Sequence, residues 1–259
     1  MTRGFRPTLP AARPFEIHPD GAEAGVLMIH GYTGRSGDLL YLGERLAKEG
    51  LAVSAPRLPG AGTDMNDLAA TTRHDWRRRC LDAWQDLRSR YDTLYLVGYS
   101  MGGVLALDLA RKVMVNKLVL LAPALRTTHK TLNLLPLLAP FSRILPEVKT
   151  NWEPKDEDDE ETREHGRRYW SRRDLKSAAQ FSRLTAEGRR HLERVMAPVF
   201  TVVSLGDKTV PTNVLDLLDR RLPAGLSKSL VVSRCGHDVP QGADKEVVAD
   251  TVTDWLKYD

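Results

Sequence analysis

The sequence predicts an α/β domain built on a mostly parallel central sheet, with helices on both faces and a helical insertion past its middle. Three observations predict it. Short apolar runs bounded by Gly or Pro alternate with longer segments of helical spacing, the pattern of fully buried strands joined by crossover helices. One such run, Leu94 to Val97, leads through Gly98-Tyr99-Ser100-Met101-Gly102 directly into the small, apolar stretch from Val104 to Ala110. The alternation stops after Pro123 for about seventy residues and resumes at Pro198.

The bulk properties fit that frame. A chain of 259 residues can bury one large core without dividing, and 42% hydrophobic with 28% charged residues is ordinary for a globular enzyme. The formal net charge is +4, and the arginines of residues 77–79, 167–173 and 189–194 stand among many acids. They are expected to be solvated helix faces, which argues against a nucleic-acid partner. Cys80 and Cys235 are the only cysteines and lie far apart, in no metal spacing, so neither a disulfide framework nor a cysteine–metal site is expected. Cys235 is expected to be a small buried residue rather than a nucleophile. Arg3, Arg6 and Arg13, with prolines between them and no apolar run following, are not expected to begin a secretory signal, and no stretch is long and apolar enough to span a membrane. The expected location is the cytoplasm.

The elements follow in order. Residues 1–20 are rich in Pro and Arg and suit an irregular arm, with 14–17 as an edge strand. Residues 25–30 are a buried strand that ends in Gly31-Tyr32-Thr33-Gly34, whose glycines let backbone amides approach a ligand. Leu39, Leu42, Leu46 and Ala47 share one face of a helix over 37–48, stopped by Gly50, and 51–55 is the next strand. A helix over 67–90 carries Trp76, Cys80, Ala83, Trp84 and Leu87 on its core side. Strands are predicted at 94–97, 117–122, 198–204 and 229–233, and helices over 211–221 and 243–257, the last with Val247, Val248, Val252, Trp255 and Leu256 inward.

Residues 125–196 break the pattern. Residues 127–145 are apolar but interrupted by Pro136 and Pro140, 151–164 are acidic, and 162–194 read as two arginine-rich amphipathic helices with Tyr169, Trp170, Leu175, Phe181 and Leu184 inward. An insertion between sheet strands is most simply a cap over the strand ends, with 1–124 and 197–259 as the core. The leucines of 132–145 then either line an acyl pocket or fasten the cap.

The chemistry centres on Ser100. A strand that reverses sharply into a helix strains its central residue and leaves room only for glycine on either side, so the serine projects at the helix's positive end. A hydroxyl needs a base, and an imidazole oriented by a carboxylate supplies one. Ser100, Asp207 and His237 follow three strands in that order. Asp238 adjoins the histidine and Asp216 falls within a helix, so both are poorer acids. His18, His74, His129, His165 and His191 are expected at the surface, and His30 is expected to hold the 31–34 loop. The backbone N–H groups of Met101 and Tyr32 are the expected oxyanion donors.

Taken together, His30 to Gly34, Leu58-Pro59-Gly60-Ala61-Gly62-Thr63, Asp75-Trp76, Gly98 to Gly103, Asp207 with Val210-Pro211, and Cys235-Gly236-His237 resemble the bacterial carboxylesterase and monoacylglycerol lipase group of the α/β-hydrolases. The resemblance spans nearly the whole core and is looser over the cap. It implies the α/β-hydrolase fold and hydrolysis of carboxylic esters through an acyl-enzyme on Ser100, with an oxyanion pair at Tyr32 and Met101 and no metal or organic cofactor. Two positions depart from the family pattern: Ala61 stands where Gly-His-Gly is usual, and Tyr99 stands where Leu is usual. Both departures bear on acyl and alcohol preference. The expected substrate is a small or lipid-like ester of short to medium acyl chain. A monoacylglycerol lipase preferring longer chains is the alternative, and a non-catalytic binding protein the remote one.

Overall fold

A computed structural model describes residues 6–128, 147–154, 156 and 158–258. Seven strands form one sheet: β1 (Phe15–Ile17), β2 (Ala24–Ile29), β3 (Ala52–Ala55), β4 (Thr93–Tyr99), β5 (Lys117–Leu121), β8 (Val199–Ser204) and β9 (Lys228–Val232), in the order β1-β3-β2-β4-β5-β8-β9. All neighbours are parallel except β1, which pairs antiparallel with β3 at the edge, as the short arm strand predicts.

The central strands are buried on both faces, so alternate residues feed two cores. Leu27, Ile29, Leu94, Leu96, Leu118 and Leu120 point to one face. There they meet α3 (Arg73–Arg88), α4 (Met101–Ala110) and α7 (Val214–Arg221). Val26, Met28, Val97, Val119 and Leu121 point to the other, covered by α1 (Leu40–Lys48) and α8 (Lys245–Lys257). Each such aliphatic side chain contributes about 1.5–3 kcal/mol when fully withdrawn from water. That two-sided burial explains why the strands read as continuous apolar runs.

From β2 the chain moves to β3 on one side and then crosses to β4 on the other. The direction of winding therefore reverses at the β2/β4 boundary, and a crevice opens outside the carboxyl ends of those two strands. Gly31 to Thr33 follow β2 and Ser100 follows β4, so the topology alone brings them together.

Two predicted helices differ in detail. The one expected over 67–90 is two, α2 (Met65–Ala70) and α3, separated at Thr71 and Thr72. Thr72 Oγ1 accepts the amides of His74 and Asp75 while the Asp75 carboxylate accepts the amide of Thr72, a capping box that starts a new helix. In α8, Val248, Val252, Trp255 and Leu256 are buried, but Val247 is 46% exposed because a helix step turns it off the face of its neighbour Val248.

Between β5 and β8 the chain leaves the sheet. Its described part holds an antiparallel pair, β6 (Glu147–Lys149) and β7 (Arg172–Asp174), and two helices, α5 (Glu160–Tyr169) and α6 (Leu175–Gly188). Both helices were predicted, as one stretch over 162–194, whereas the strand pair was not. Asp159 and Asp174 cap the two helices by accepting the amides of Thr162 and Ser177. Tyr169, Phe181 and Leu184 are buried as predicted, with Trp170 and Leu175 partly so. The leucines of 132–145, and His129, lie outside the described residues.

Candidate active site

Ser100 occupies the turn between β4 and α4 with φ 54° and ψ −115°, a left-handed conformation that few non-glycine residues adopt. Its neighbours explain how the chain tolerates the turn. A Cβ on Gly98 would stand 2.4 Å from the Gly102 carbonyl oxygen, and one on Gly102 would stand 2.0 Å from that of Ile29. Only glycine fits either place. The amide of Ser100 donates to Leu121 O at 2.9 Å, and its own carbonyl accepts the amides of Gly103 and Ala124.

The three predicted partners meet. His237 Nε2 lies 2.9 Å from Ser100 Oγ, and His237 Nδ1 lies 2.7 Å from Asp207 Oδ2. The Asp207 side chain is 1% exposed, and its other oxygen accepts the amides of Thr209 at 2.7 Å and Val210 at 2.9 Å. Burial pushes the Asp207 pKa up, but the His237 hydrogen bond and charge and the two amides outweigh it, so the carboxyl lies below its ordinary range and is ionised. An ionised carboxylate only accepts. Hence Nδ1 of His237 carries the proton, and the lone pair of Nε2 faces the serine hydroxyl.

The competing acids are elsewhere. Asp238 accepts the amide of Gly236 at 2.9 Å and so shapes the turn that presents His237, while Asp216 is exposed on α7. Cys235 is buried and its thiol is pushed up by that burial, as expected of a packing residue. Tyr99 donates its hydroxyl to the His237 carbonyl at 3.0 Å, and its ring lies 5.4 Å from the imidazole. Its departure from the family pattern therefore bears on the histidine, not on the cavity, whose lining does not include it. Ala61 likewise lies outside that lining and is buried at 5% exposure.

Around Ser100 the β2 loop closes in. A Cβ on Gly31 would lie 3.2 Å from Ser100 Cβ, so the loop passes against the nucleophile itself. Met101 is the first residue of α4, where an amide has no partner within the helix, and Tyr32 lines the same cavity as Ser100 and His237. His30 is 1% exposed; Leu58 N–H donates to its Nε2 at 3.1 Å, so Nδ1 carries the proton and donates to Gly31 O at 2.9 Å. Burial pulls its pKa down to about 4, which keeps it neutral.

The sequence reading missed the other half of the loop's support. His165, expected at the surface, is fully buried on α5, and its Nε2 donates to Thr33 O at 2.8 Å. Trp170 Nε1 donates to the same oxygen at 3.3 Å. Thr33 has a φ of 53°, so these donors hold a strained residue. Tyr32 is fastened as well: its hydroxyl lies 2.8 Å from Ser177 Oγ and its ring stacks on Phe181 at 5.0 Å. The signal for His165 was its spacing, since His165 and Tyr169 stand four apart on the inward face of one helix.

These parts enclose a cavity of about 370 Å³ over Ser100 and His237, walled by Met65, Trp152, Tyr169, Trp170 and Phe181. Among the described residues no group of three His, Cys, Asp or Glu side chains is placed to hold a metal ion, and no helix is long and apolar enough to cross a membrane.

Comparison with known proteins gives the family of the fold. Residues 26–251 match the model of the alpha/beta hydrolase family. The chain belongs to that family. A thermostable monoacylglycerol lipase of Bacillus sp. (strain H-257) is 31% identical over 219 residues, covering 82% of this chain and 81% of the relative. A carboxylesterase of Bacillus subtilis (strain 168) is 21% identical over 246 residues, covering 95% and 96%. Among solved structures, one from the metagenome-derived lipolytic enzymes LipS and LipT shares the fold at a TM-score of 0.83 with 24% identity, covering 98% of this chain and 100% of that one. The hydrolase is of the lipase and esterase type.

Proposed function

We propose that the protein is a serine carboxylic-ester hydrolase with Ser100 as nucleophile, His237 as general base and acid, and Asp207 as the group that orients and stabilises the imidazole. The observation that carries this reading is the continuous relay from Ser100 Oγ through His237 to a buried, ionised Asp207 at the floor of a largely apolar cavity. In acylation, His237 Nε2 takes the serine proton as Oγ attacks the ester carbonyl, and the charge that develops on the carbonyl oxygen is met by the N–H groups of Met101 and Tyr32. His237 then returns the proton to the departing alkoxide. A water activated by the same histidine cleaves the acyl-enzyme, releasing the acid and restoring Ser100.

Residues 125–196 serve in this reading as a cap, since Trp152, Tyr169, Trp170 and Phe181 supply most of the apolar wall. A cavity of this size, with an aromatic wall close to the serine, suits short to medium acyl chains. The identity with a monoacylglycerol lipase favours the longer-chain alternative. Hydrolysis of an ester series of increasing acyl length, with Ser100→Ala alongside, separates the two. A maximum at short or medium chains that the variant lacks supports the esterase, and one at long chains supports the lipase. Turnover retained by Ser100→Ala would remove the proposed nucleophile. A wild type that hydrolyses none of the esters, and leaves Ser100 unlabelled by a phosphonate, would point to the non-catalytic binder.

A further inference from the structure

The apolar wall over Ser100 is made of rings. Of the hydrophobic side chains among its described lining residues, Tyr32, Trp152, Tyr169, Trp170 and Phe181 are aromatic and only Met65 is not. Aromatic residues are 7% of the chain against 42% for all hydrophobic residues, about one in six, and the wall reverses that proportion. The rings are also held in place. Tyr32 stacks on Phe181 with centroids 5.0 Å apart, and Trp152 meets Trp170 edge-on at 5.9 Å. Trp170 Nε1 donates to Thr33 O and the Tyr169 hydroxyl donates to Gly60 O, so these two side chains have only ring surface left to offer the cavity.

Trp152 reaches the wall because the sequence makes room for it. Its indole packs over Gly166 in the interior of α5, where a Cβ would stand 2.1 Å from Trp152 Cζ2. Glycine is among the least favourable residues inside a helix, so its place here is explained by the indole and not by the helix. Tyr32, Trp152 and Trp170 stay partly exposed, which leaves ring surface uncovered around the serine. An alkyl chain would cover that surface. An aryl ring would cover it and also adopt the offset-stacked or edge-on geometries that ring pairs prefer, worth about two- to tenfold in binding beyond the area covered. An apolar cavity of about 150 Å³ takes up benzene, so one of about 370 Å³ holds a ring together with its ester.

Resting on the ester-hydrolase reading, we propose that the substrate is an ester carrying an aryl ring on a short chain, and that this ring packs on Trp152 and its neighbours while the ester carbonyl sits on Ser100. The ring can belong to the acyl part or to the alcohol part. The bonds made and broken are those of ordinary ester hydrolysis; the ring only binds.

Two matched pairs of esters, followed by acid release at constant pH, test this. Methyl hydrocinnamate and methyl cyclohexanepropionate differ only in whether the ring on the acyl part is aromatic. Phenethyl acetate and cyclohexylethyl acetate differ likewise on the alcohol side. Two methylenes separate each ring from the ester, so intrinsic reactivity is matched, and the cyclohexyl member is the more hydrophobic of each pair. Burial of apolar surface alone would therefore favour the cyclohexyl esters. In at least one pair the aryl member is expected to have a kcat/KM about three- to tenfold higher, expressed mainly in KM. Trp152→Leu should bring that ratio toward one, while Trp152→Phe retains part of it. Gly166→Ala, which crowds the indole from a position outside the cavity lining, should lower the ratio too. A ratio near or below one in both pairs, with the esters hydrolysed, overturns this inference and leaves the ester hydrolase standing. A preference that survives both Trp152→Leu and Gly166→Ala overturns the assignment to that wall. Silence on all four esters overturns the inference, and removes the hydrolase reading with it only if Ser100 also stays unlabelled by a phosphonate.

Discussion

Two buried histidines hold the same loop from opposite sides, and they are held differently. His30 reaches it from the sheet and His165 from the helices above; they bond the carbonyls of Gly31 and Thr33, and burial pulls both pKa values down to about 4. Both nitrogens of His30 are used, so it ties the β2 loop to the β3 loop at Leu58. His165 uses one. Its Nδ1 is buried without a partner among the described residues, in a ring that stacks on Tyr169 and meets Trp170 edge-on. An unpaired buried polar atom costs about 1–3 kcal/mol, so the upper attachment is the weaker one. The Tyr32 amide is therefore set by a rigid support below and a looser one above, and catalysis is exposed to the looser one.

The largest effect belongs below the loop. Asp207→Asn is expected to lower kcat by about 10⁴-fold, because the amide no longer fixes the proton on His237 Nδ1, whereas Asp216→Asn should leave it within about twofold. If Asp216→Asn did the greater damage, the acid would have to move to α7.

The histidines themselves come next. His30→Leu leaves the buried amide of Leu58 without its acceptor and strips the Gly31 carbonyl of one of two donors, the amide of Gly34 remaining, which should cost about 1–3 kcal/mol in urea unfolding. His165→Leu strips Thr33 O of one donor but leaves it Trp170, so stability should change by no more than about 1 kcal/mol. Its mark should instead be kinetic, a kcat about tenfold lower at nearly constant KM, with His165→Gln recovering part because it keeps an N–H donor. Equal stability losses for the two leucine variants would erase the distinction between the supports.

Acid titrates that distinction. For each histidine the folded pKa, about 4, lies below the ordinary value of 6.5, so between those limits the unfolded chain holds a proton that the folded chain does not. The stability contributed is complete above about 6.5 and declines as pH falls, by up to about 1.4 kcal/mol per pH unit for each histidine. His165→Gln should flatten the slope of unfolding free energy over that window, and an unchanged slope would mean that His165 is not held neutral.

How legible each part was follows from the same contrast. β2, β4 and β5 were readable because burial on both faces writes continuous apolar runs, and the glycines around Ser100 because nothing else fits there. The order Ser100, Asp207, His237 was readable because each stands just past a strand whose end the topology places. His165 was hidden in a stretch of ten residues where charged residues dominate, and its burial depends on which face of α5 meets the loop. β6 and β7 were hidden because three-residue strands, one of them Arg-Arg-Asp, carry no alternation that distinguishes them from a loop. Trp152 reaches the cavity wall by packing where Gly166 has no side chain, a pairing fourteen residues apart that no local pattern announces.

Tyr99 gives the smallest expected effect and the finest test. Its hydroxyl braces the carbonyl of His237 from beneath, and its ring packs against the imidazole. Tyr99→Phe keeps the ring and removes one hydrogen bond, so it should cost about 0.5–1.5 kcal/mol of stability. The freed histidine loop should lower kcat a few-fold through a less well-held Nε2, with KM and acyl-chain preference unchanged. A shift in chain preference would return Tyr99 to the substrate side of the site, where the departure from the family's usual leucine first pointed. An unchanged kcat would show instead that the 2.7 Å bond to Asp207 positions His237 without help from below.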